Sequence, residues 1–384
     1  MIRTNKSRWL VILLLLTVAA LLLLPHSFVT SAQKRTSPRA PQRKPAAKPT
    51  PTPSAVDALG PPPAAPTLRQ KREEQEVTPG DVISVNTTEV MIPVTVRDGS
   101  GRLVNELTRT DFKVFENDRE QPLSDLALRQ VPVDVVLMVD ASSSVATNLD
   151  DFRRAAEGFA ERLSEEDRIS LIKFDDRVEL LQDWTHSRFQ LRRALARIEP
   201  GMFTRFNDAL LLAAREQFGD TKSRRAVIIL SDGIDSGRGS TTLETAVQAL
   251  LRAQVSVYVV SNTEISRAAK RAELDSLTGG SDSAVRFNQL RIDDLRTGLR
   301  VLDLSEQMLA QLTATTGGRL YKPQTFAGLE STYAEVAEEL RHQYALYYTP
   351  LNKARDGEFR RVRVEMTNPA YKSHTRVGYF APKS

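Results

Sequence analysis

Four short, predominantly apolar runs, Val133–Val139, Ile169–Phe174, Ala226–Leu230 and Val255–Val260, alternate with segments of a different rhythm. A strand that is apolar on both faces must be covered on both, as in a parallel sheet flanked by helices. The intervening segments supply those helices, because their apolar residues recur every three or four positions. Phe152, Ala155, Ala156, Phe159 and Leu163 make one stripe, and Leu210, Ala213, Ala214 and Phe218 a second. Leu243, Ala246, Val247, Leu250 and Leu251 make a third, and Leu329, Tyr333, Val336, Ala337 and Leu340 a fourth. Strand and helix in alternation predict an α/β domain built on a doubly wound, mostly parallel sheet. Val178–Leu181, close behind Asp175-Asp176, predicts one antiparallel hairpin within it.

The sequence on either side has the period of two that marks half-buried strands. Val90, Ile92, Val94 and Val96 alternate with Met91, Pro93, Thr95 and Arg97, and Pro93 favours an edge position. Asp98-Gly99-Ser100-Gly101 is a turn, and short apolar stretches follow at 112–115 and 123–128. About four strands are too few to close a sandwich. The missing ones are expected at the far end, where 344–348, Val362/Val364/Met366 and Val377/Tyr379/Ala381 alternate again. Residues 81–131 and 344–384 are therefore predicted to pair into one discontinuous β-sandwich, with the α/β domain, 132–343, inserted into it.

The first 80 residues differ in kind. Arg3, Lys6 and Arg8 precede an uncharged apolar run, Trp9–Leu24, followed by Pro25 and Thr30-Ser31-Ala32. A charged start, a short apolar run and a small-residue exit read as a secretory signal over residues 1–32. Extended through Val29, the run would instead serve as an uncleaved anchor that keeps the chain beside a membrane. Residues 33–80 hold 11 of the 20 prolines and form a disordered Pro-rich linker. The expected location is exported: periplasmic, attached to the cell envelope, or secreted.

Charge follows the same division. Residues 1–80 carry 12 Lys/Arg against 4 Asp/Glu, whereas the rest carries 41 against 44. The folded part is thus no basic nucleic-acid binder, and the positive tail is available for weak contact with an anionic surface. The absence of cysteine excludes disulfides, thiol catalysis and Cys-ligated zinc. The four histidines, His26, His186, His342 and His374, have no metal-binding spacing.

Open α/β sheets place their sites at the carboxyl ends of the strands. The first buried strand ends in Asp140-Ala141-Ser142-Ser143-Ser144, and the strand near 226–230 ends in Ser231-Asp232-Gly233. Thr204 stands just before the helix starting near Phe206. Five oxygen-bearing side chains, Asp140, Ser142, Ser144, Thr204 and Asp232, are thereby directed to one rim. This donor set suits a small hard cation, Mg²⁺ or Mn²⁺, which takes six oxygens and keeps several waters. The three hydroxyls can coordinate directly while the two carboxylates hold waters. With no carboxylate bound directly, the ion keeps most of its charge and an affinity for a partner's Asp or Glu. Each piece also has a plainer reading: the serines and Thr204 as helix caps, Asp232-Gly233 as a turn.

Asp140-x-Ser142-x-Ser144, Thr204 and Asp232 resemble the metal-ion-dependent adhesion site of von Willebrand factor type A domains, over roughly 131–343. With Ile92-Pro93-Val94-Thr95-Val96, Leu107-Thr108-x-x-Asp111-Phe112-x-Val114-Phe115 and Gln343-Tyr344-x-Leu346-x-Tyr348-Thr349-Pro350, the chain is similar to the bacterial VWFA-related family of acidobacterial type over 81–382. The resemblance implies a Rossmann-like sheet, a Mg²⁺ or Mn²⁺ site and protein binding. Two positions depart from the family pattern. Ser143 stands where Gly is usual, and Met202-Phe203 rather than Gly precede Thr204.

From Ser261 to Asp303 some 40 residues leave the carboxyl end of a strand before the domain resumes at Leu304. They are expected to lie beside the rim, either shaping partner choice or as an inert solvated insertion. The function expected is a metal-dependent binding and adhesion module, its cation bridging to an acidic residue of a protein partner. The alternatives are an envelope assembly component with an empty site and a metal-dependent hydrolase. Catalysis has little to stand on, because no G-x-S-x-G elbow, no phosphate-cradling Gly loop and no His near the motif is present.

Overall fold

A computed structural model describes residues 89–128, 131–143, 145, 148–218 and 223–383. The signal segment and linker expected over 1–80 lie outside the described residues, as does Ser144. The described residues belong to one compact unit, Val82–Ser384.

Strands β1 (Val90–Arg97), β2 (Phe112–Glu116), β3 (Arg119–Gln121) and β4 (Leu123–Leu128) come first. The α/β domain is next, beginning with β5 (Val133–Asp140), α1 (Leu149–Arg162), β6 (Arg168–Phe174), β7 (Val178–Thr185) and α2 (Arg188–Leu195). It continues with α3 (Phe206–Leu212), which widens into a π-turn over Ala213–Gln217, then β8 (Arg224–Leu230), α4 (Leu243–Arg252) and β9 (Ser256–Val260). Helices α5 (Thr263–Thr278), α6 (Asp282–Phe287) and α7 (Gln289–Thr316), the short β10 (Leu320–Tyr321) and α8 (Leu329–Arg341) complete that domain. The chain ends with β11 (Tyr344–Tyr348), β12 (Phe359–Met366), β13 (Lys372–His374) and β14 (Gly378–Phe380).

The central sheet has the order β10-β9-β8-β5-β6-β7. Every pair is parallel except β6–β7, the predicted hairpin. All eight residues of β5 are buried, as a strand covered on both faces requires. On one face Val135, Leu137 and Val139 meet α1 and α8, where Phe159 and Tyr333 pack with ring centroids 5.8 Å apart. On the other, Val136 and Met138 meet α3, α4 and the end of α7. Asp134, buried within β5, is tolerated because its register neighbour Arg168 grips it with two nitrogens, at 2.9 and 2.6 Å.

The sandwich has two antiparallel four-stranded sheets, β13-β1-β11-β4 and β14-β12-β2-β3. Each joins strands from before and after the α/β domain, for example Ile92 opposite Leu346 and Val114 opposite Val364. Its core is Ile92, Val94, Val114, Leu346, Val364 and their neighbours. The fold is thus a Rossmann-like sheet inserted into a discontinuous β-sandwich.

Two expectations need correction. Strand β1 is interior, between β13 and β11, although Pro93 argued for an edge. Its first half, Val90–Val94, pairs only with β11 and its last three residues only with β13, so Pro93 has a ladder on one side and its missing N–H costs nothing. The segment 261–303 is continuous with the rest of the domain rather than a separate insertion. Helix α7 runs unbroken from Gln289 to Thr316 through the expected boundary at Leu304. It packs on α5 through Ile292 and Leu295 and reaches the sheet through Leu309 and Leu312.

Candidate metal centre

Strands β5 and β8 are neighbours, so the residues after them emerge side by side. Asp140 ends β5 and is fully buried. Its Oδ1 accepts the Ser142 N–H at 2.9 Å and its Oδ2 the Ser231 hydroxyl at 2.6 Å. The Ser142 hydroxyl also turns toward Asp140. Asp232, 7% exposed, accepts the Ile234 N–H at 3.1 Å. The Asp232 carbonyl takes the hydroxyl of Ser305 on α7, which fastens that helix to the rim. Between them Gly233 has φ +74°, and a Cβ there would come within 2.7 Å of Leu309, so only glycine lets α7 pass this close.

Thr204 is brought in by the loop before α3. Gly201 N–H donates to the Ala141 carbonyl at 2.8 Å, Met202 N–H to Asp176 at 2.9 Å, and Ser143 reaches the Met202 carbonyl at 3.5 Å. On its other side the loop is joined to the strand-end loop of β8. Ser236 N–H and hydroxyl both donate to the Thr204 carbonyl, at 2.9 and 2.8 Å. Asp235 accepts the Asn207 N–H at 2.9 Å, at the first turn of α3. The structure thus brings Asp140, Ser142, Thr204 and Asp232 to one edge, each less than a tenth exposed.

The electrostatics are lopsided. Burial, reinforced by the charge of Asp232, pushes the Asp140 carboxyl up to about 7. Burial also raises Asp232, against a small opposing pull from Lys270 on α5. Among the described residues neither carboxylate has an ion-pair partner, and the Thr204 hydroxyl has no hydrogen-bond partner. Among the same residues no three His, Cys, Asp or Glu side chains gather to hold a metal by themselves. Two buried, mutually repelling carboxylates with hydroxyls beside them suit a hard cation whose shell mixes hydroxyl and water oxygens.

The supporting residues are those that sequence reasoning missed. Ser231, Ser236 and Ser305 orient the site without any motif spacing to announce them. Asp235, likewise, joins α3 to the β8 loop. Asp175, in the turn between β6 and β7, is buried and paired with Lys173 at 2.8 Å. Ser144 is the one candidate ligand outside the described residues.

The family model supports the α/β domain. Residues 134–298 match the family model of the von Willebrand factor type A domain. No curated protein matches the sequence. Similar solved structures include the vWF domain of the type V pili tip protein Mfa5 from Porphyromonas gingivalis, 26% identical with a TM-score of 0.26, covering 27% of this chain and 39% of that one. Proximal thread matrix protein 1 from the mussel byssus, in a form with a zinc-occupied MIDAS motif, is 15% identical (TM-score 0.41) over 59% of this chain and 50% of its own. A von Willebrand factor type A protein from Catenulispora acidiphila is 12% identical (TM-score 0.39) over 71% and 74%. The chain spans about two fifths of the first of these and half of the second. The strand order, the rim at the ends of β5 and β8 and the family match agree: the α/β domain inserted in this chain is a von Willebrand factor type A domain.

Proposed function

We propose that this rim binds Mg²⁺ or Mn²⁺ and through it a protein partner outside the cytoplasm. The observation that carries the reading is the pair of buried carboxylates, Asp140 and Asp232, which among the described residues have no ion-pair partner and lie beside the hydroxyls of Ser142 and Thr204. Burying such charge uncompensated is costly, and a divalent cation removes the cost. Ser142 and Thr204, with Ser144 from the sequence motif, would be the direct hydroxyl ligands, and Asp140 and Asp232 would hold metal-bound waters. When bound, the cation offers an electrophilic position that an Asp or Glu of the partner fills. The chain's own residues fix the geometry. Ser231 holds Asp140 in place, Ser236 holds Thr204 and Ser305 holds the Asp232 backbone.

Among the described residues no helix is long and apolar enough to cross a membrane. The signal-like segment at 1–32 supports placement in the periplasm, at the envelope or in the medium. The test is a Mg²⁺ titration by calorimetry on the wild type, Asp140→Ala and Thr204→Ala, followed by capture of partners from envelope extract in Mg²⁺ or EDTA. Binding of metal and partner that both variants lose supports the reading. Partner capture that survives chelation and both substitutions overturns it, and hydrolytic activity lost with Asp140 replaces it by an enzyme.

A further inference from the structure

At the opposite edge of the same sheet, where β8 begins, lies a cleft of about 450 Å³ between the π-turn after α3 and helix α4. Its volume falls within the range of small-molecule sites. Three arginines line it, Arg215, Arg225 and Arg252, and among the described residues no carboxylate does. Thr245 and Gln248 add neutral donors, while Phe218 and three alanines form an apolar wall. Two of the guanidinium groups are already held in place. Arg225 donates to the Ala253 carbonyl at 2.9 Å, and Arg252 lies 3.8 Å from the Phe380 ring centroid, so strand β14 of the sandwich borders the cleft.

The surroundings deepen the positive field. Arg376, fully buried, donates to the Met91 carbonyl at 2.7 Å and to Gln254 at 3.1 Å, and no carboxylate of the described residues neutralises it. Its burial, with Arg225 nearby adding like charge, lowers it to about 10. Neither Arg215 nor Arg252 forms an ion pair among the described residues. Glu244, one turn up α4, is engaged by Gln248 at 3.5 Å. Like charges gathered in one cleft repel one another, and a bound anion reverses that cost.

The geometry points to a second, anion-binding site in this cleft, whose ligand is a phosphoryl group carried on a small organic body. A guanidinium presents a planar fork of donors that fits phosphate oxygens two at a time. One carboxylate satisfies one fork, whereas a phosphoryl dianion serves several. The Phe218 and alanine wall takes the organic part. The site shares no residue with the metal rim and stands or falls separately from it.

The full chain, kept in EDTA so that the rim holds no metal, is titrated calorimetrically with inorganic pyrophosphate and with glycerol 3-phosphate. Saturable binding below about 1 mM is expected, weakened about tenfold by Arg215→Gln, an exposed residue with no packing role, and abolished by Arg215→Gln/Arg252→Gln. Arg154→Gln, on the far helix α1, should leave it unchanged. Sedimentation with phosphatidylglycerol vesicles against phosphatidylcholine vesicles separates the two sources of the phosphoryl group. Retention on the anionic vesicles, lost in the double variant, identifies a lipid headgroup, and binding of the soluble phosphates alone identifies a free metabolite. The proposal is overturned if neither probe binds saturably, or if Arg154→Gln weakens binding as much as Arg215→Gln.

Discussion

The two ends of the central sheet treat buried carboxylates in opposite ways. At the end that meets the sandwich, Glu339 of α8 is fully buried and saturated. It accepts the Tyr321 hydroxyl at 2.9 Å and the Thr95 hydroxyl at 3.4 Å, and forms ion pairs with Arg319 at 3.0 Å and, closely, with Arg97. Arg97 and Thr95 belong to β1 of the sandwich, so this one carboxylate ties the two parts of the fold together. At the rim, Asp140 is equally buried, yet it is met only by serine hydroxyls, a backbone N–H and the repulsion of Asp232. One end is neutralised within the chain. Among the described residues the other is short of positive charge.

The largest effect expected from this contrast is at the neutralised end. Glu339→Ala strands Arg97 and Arg319 without a counter-charge; because these arginines keep 23% and 36% solvent exposure, the cost is expected at the low end for a buried pair, about 3 kcal/mol. Urea unfolding in EDTA reads it directly. A cost below about 1 kcal/mol would mean that the junction is held by packing instead, and the comparison would lose one of its sides.

The next effect is the reverse dependence at the rim. Mg²⁺ at about 100 times its dissociation constant should stabilise the wild type by about 2.7 kcal/mol. It should leave Asp140→Ala unmoved while stabilising Glu339→Gln as it does the wild type. Thermal unfolding with and without EDTA checks it. A metal effect that persists in Asp140→Ala would place the cation elsewhere.

Asp140→Asn sharpens the contrast by pH. A carboxyl held near 7 in the fold and near 3.8 when unfolded binds its proton more tightly when folded, so metal-free stability falls as pH rises between those values. The full penalty applies above pH 7 and is absent below pH 3.8. Asparagine keeps an acceptor for Ser142 N–H without the charge, and the Ser231 hydroxyl can rotate to accept from the amide. The metal-free variant should therefore be about 1–2 kcal/mol more stable than wild type at pH 8 and no more stable at pH 4. Equal stability at both pH values would mean that water or a neighbour already compensates Asp140.

The same contrast explains what could be read from the sequence. The candidate rim residues are legible because Asp140, Ser142 and Ser144 lie within five residues at one strand end, and Asp232 follows just after the end of the neighbouring strand, Leu230. The junction is not. Arg97 and Glu339 are 242 positions apart, and Arg224, which holds the Leu340 carbonyl at 2.5 Å, is 116 positions from it. No local pattern marks such pairs. Helix α2 was missed because its eight residues hold only Leu191, Ala194 and Leu195 on the buried side, too few to set a period. The hairpin of α5 and α7 left a fainter trace. Ile292, Leu295 and Leu302 recur at three- and seven-residue steps, the stripe of helices that pack on each other, before Leu309 and Leu312 turn to the sheet.

The smallest effect concerns a residue that belongs to neither end. Ser305 sits on α7, 73 positions from Asp232, and its hydroxyl holds the Asp232 carbonyl. It coordinates nothing itself. Ser305→Ala removes one buried hydrogen bond, at a cost of about 1 kcal/mol, and leaves the carbonyl without that donor. Because the backbone of Asp232 is then held less firmly, Mg²⁺ affinity should drop a few-fold, within the range for residues that support a ligand. Ser305→Thr, which keeps a hydroxyl, should restore most of the affinity even if its extra methyl group costs some stability. Calorimetric Mg²⁺ titration of the two variants separates the roles. If alanine lowers stability while metal affinity holds, α7 merely packs against the rim. If affinity falls with alanine and returns with threonine, the long helix helps to set the geometry of the end that is short of positive charge.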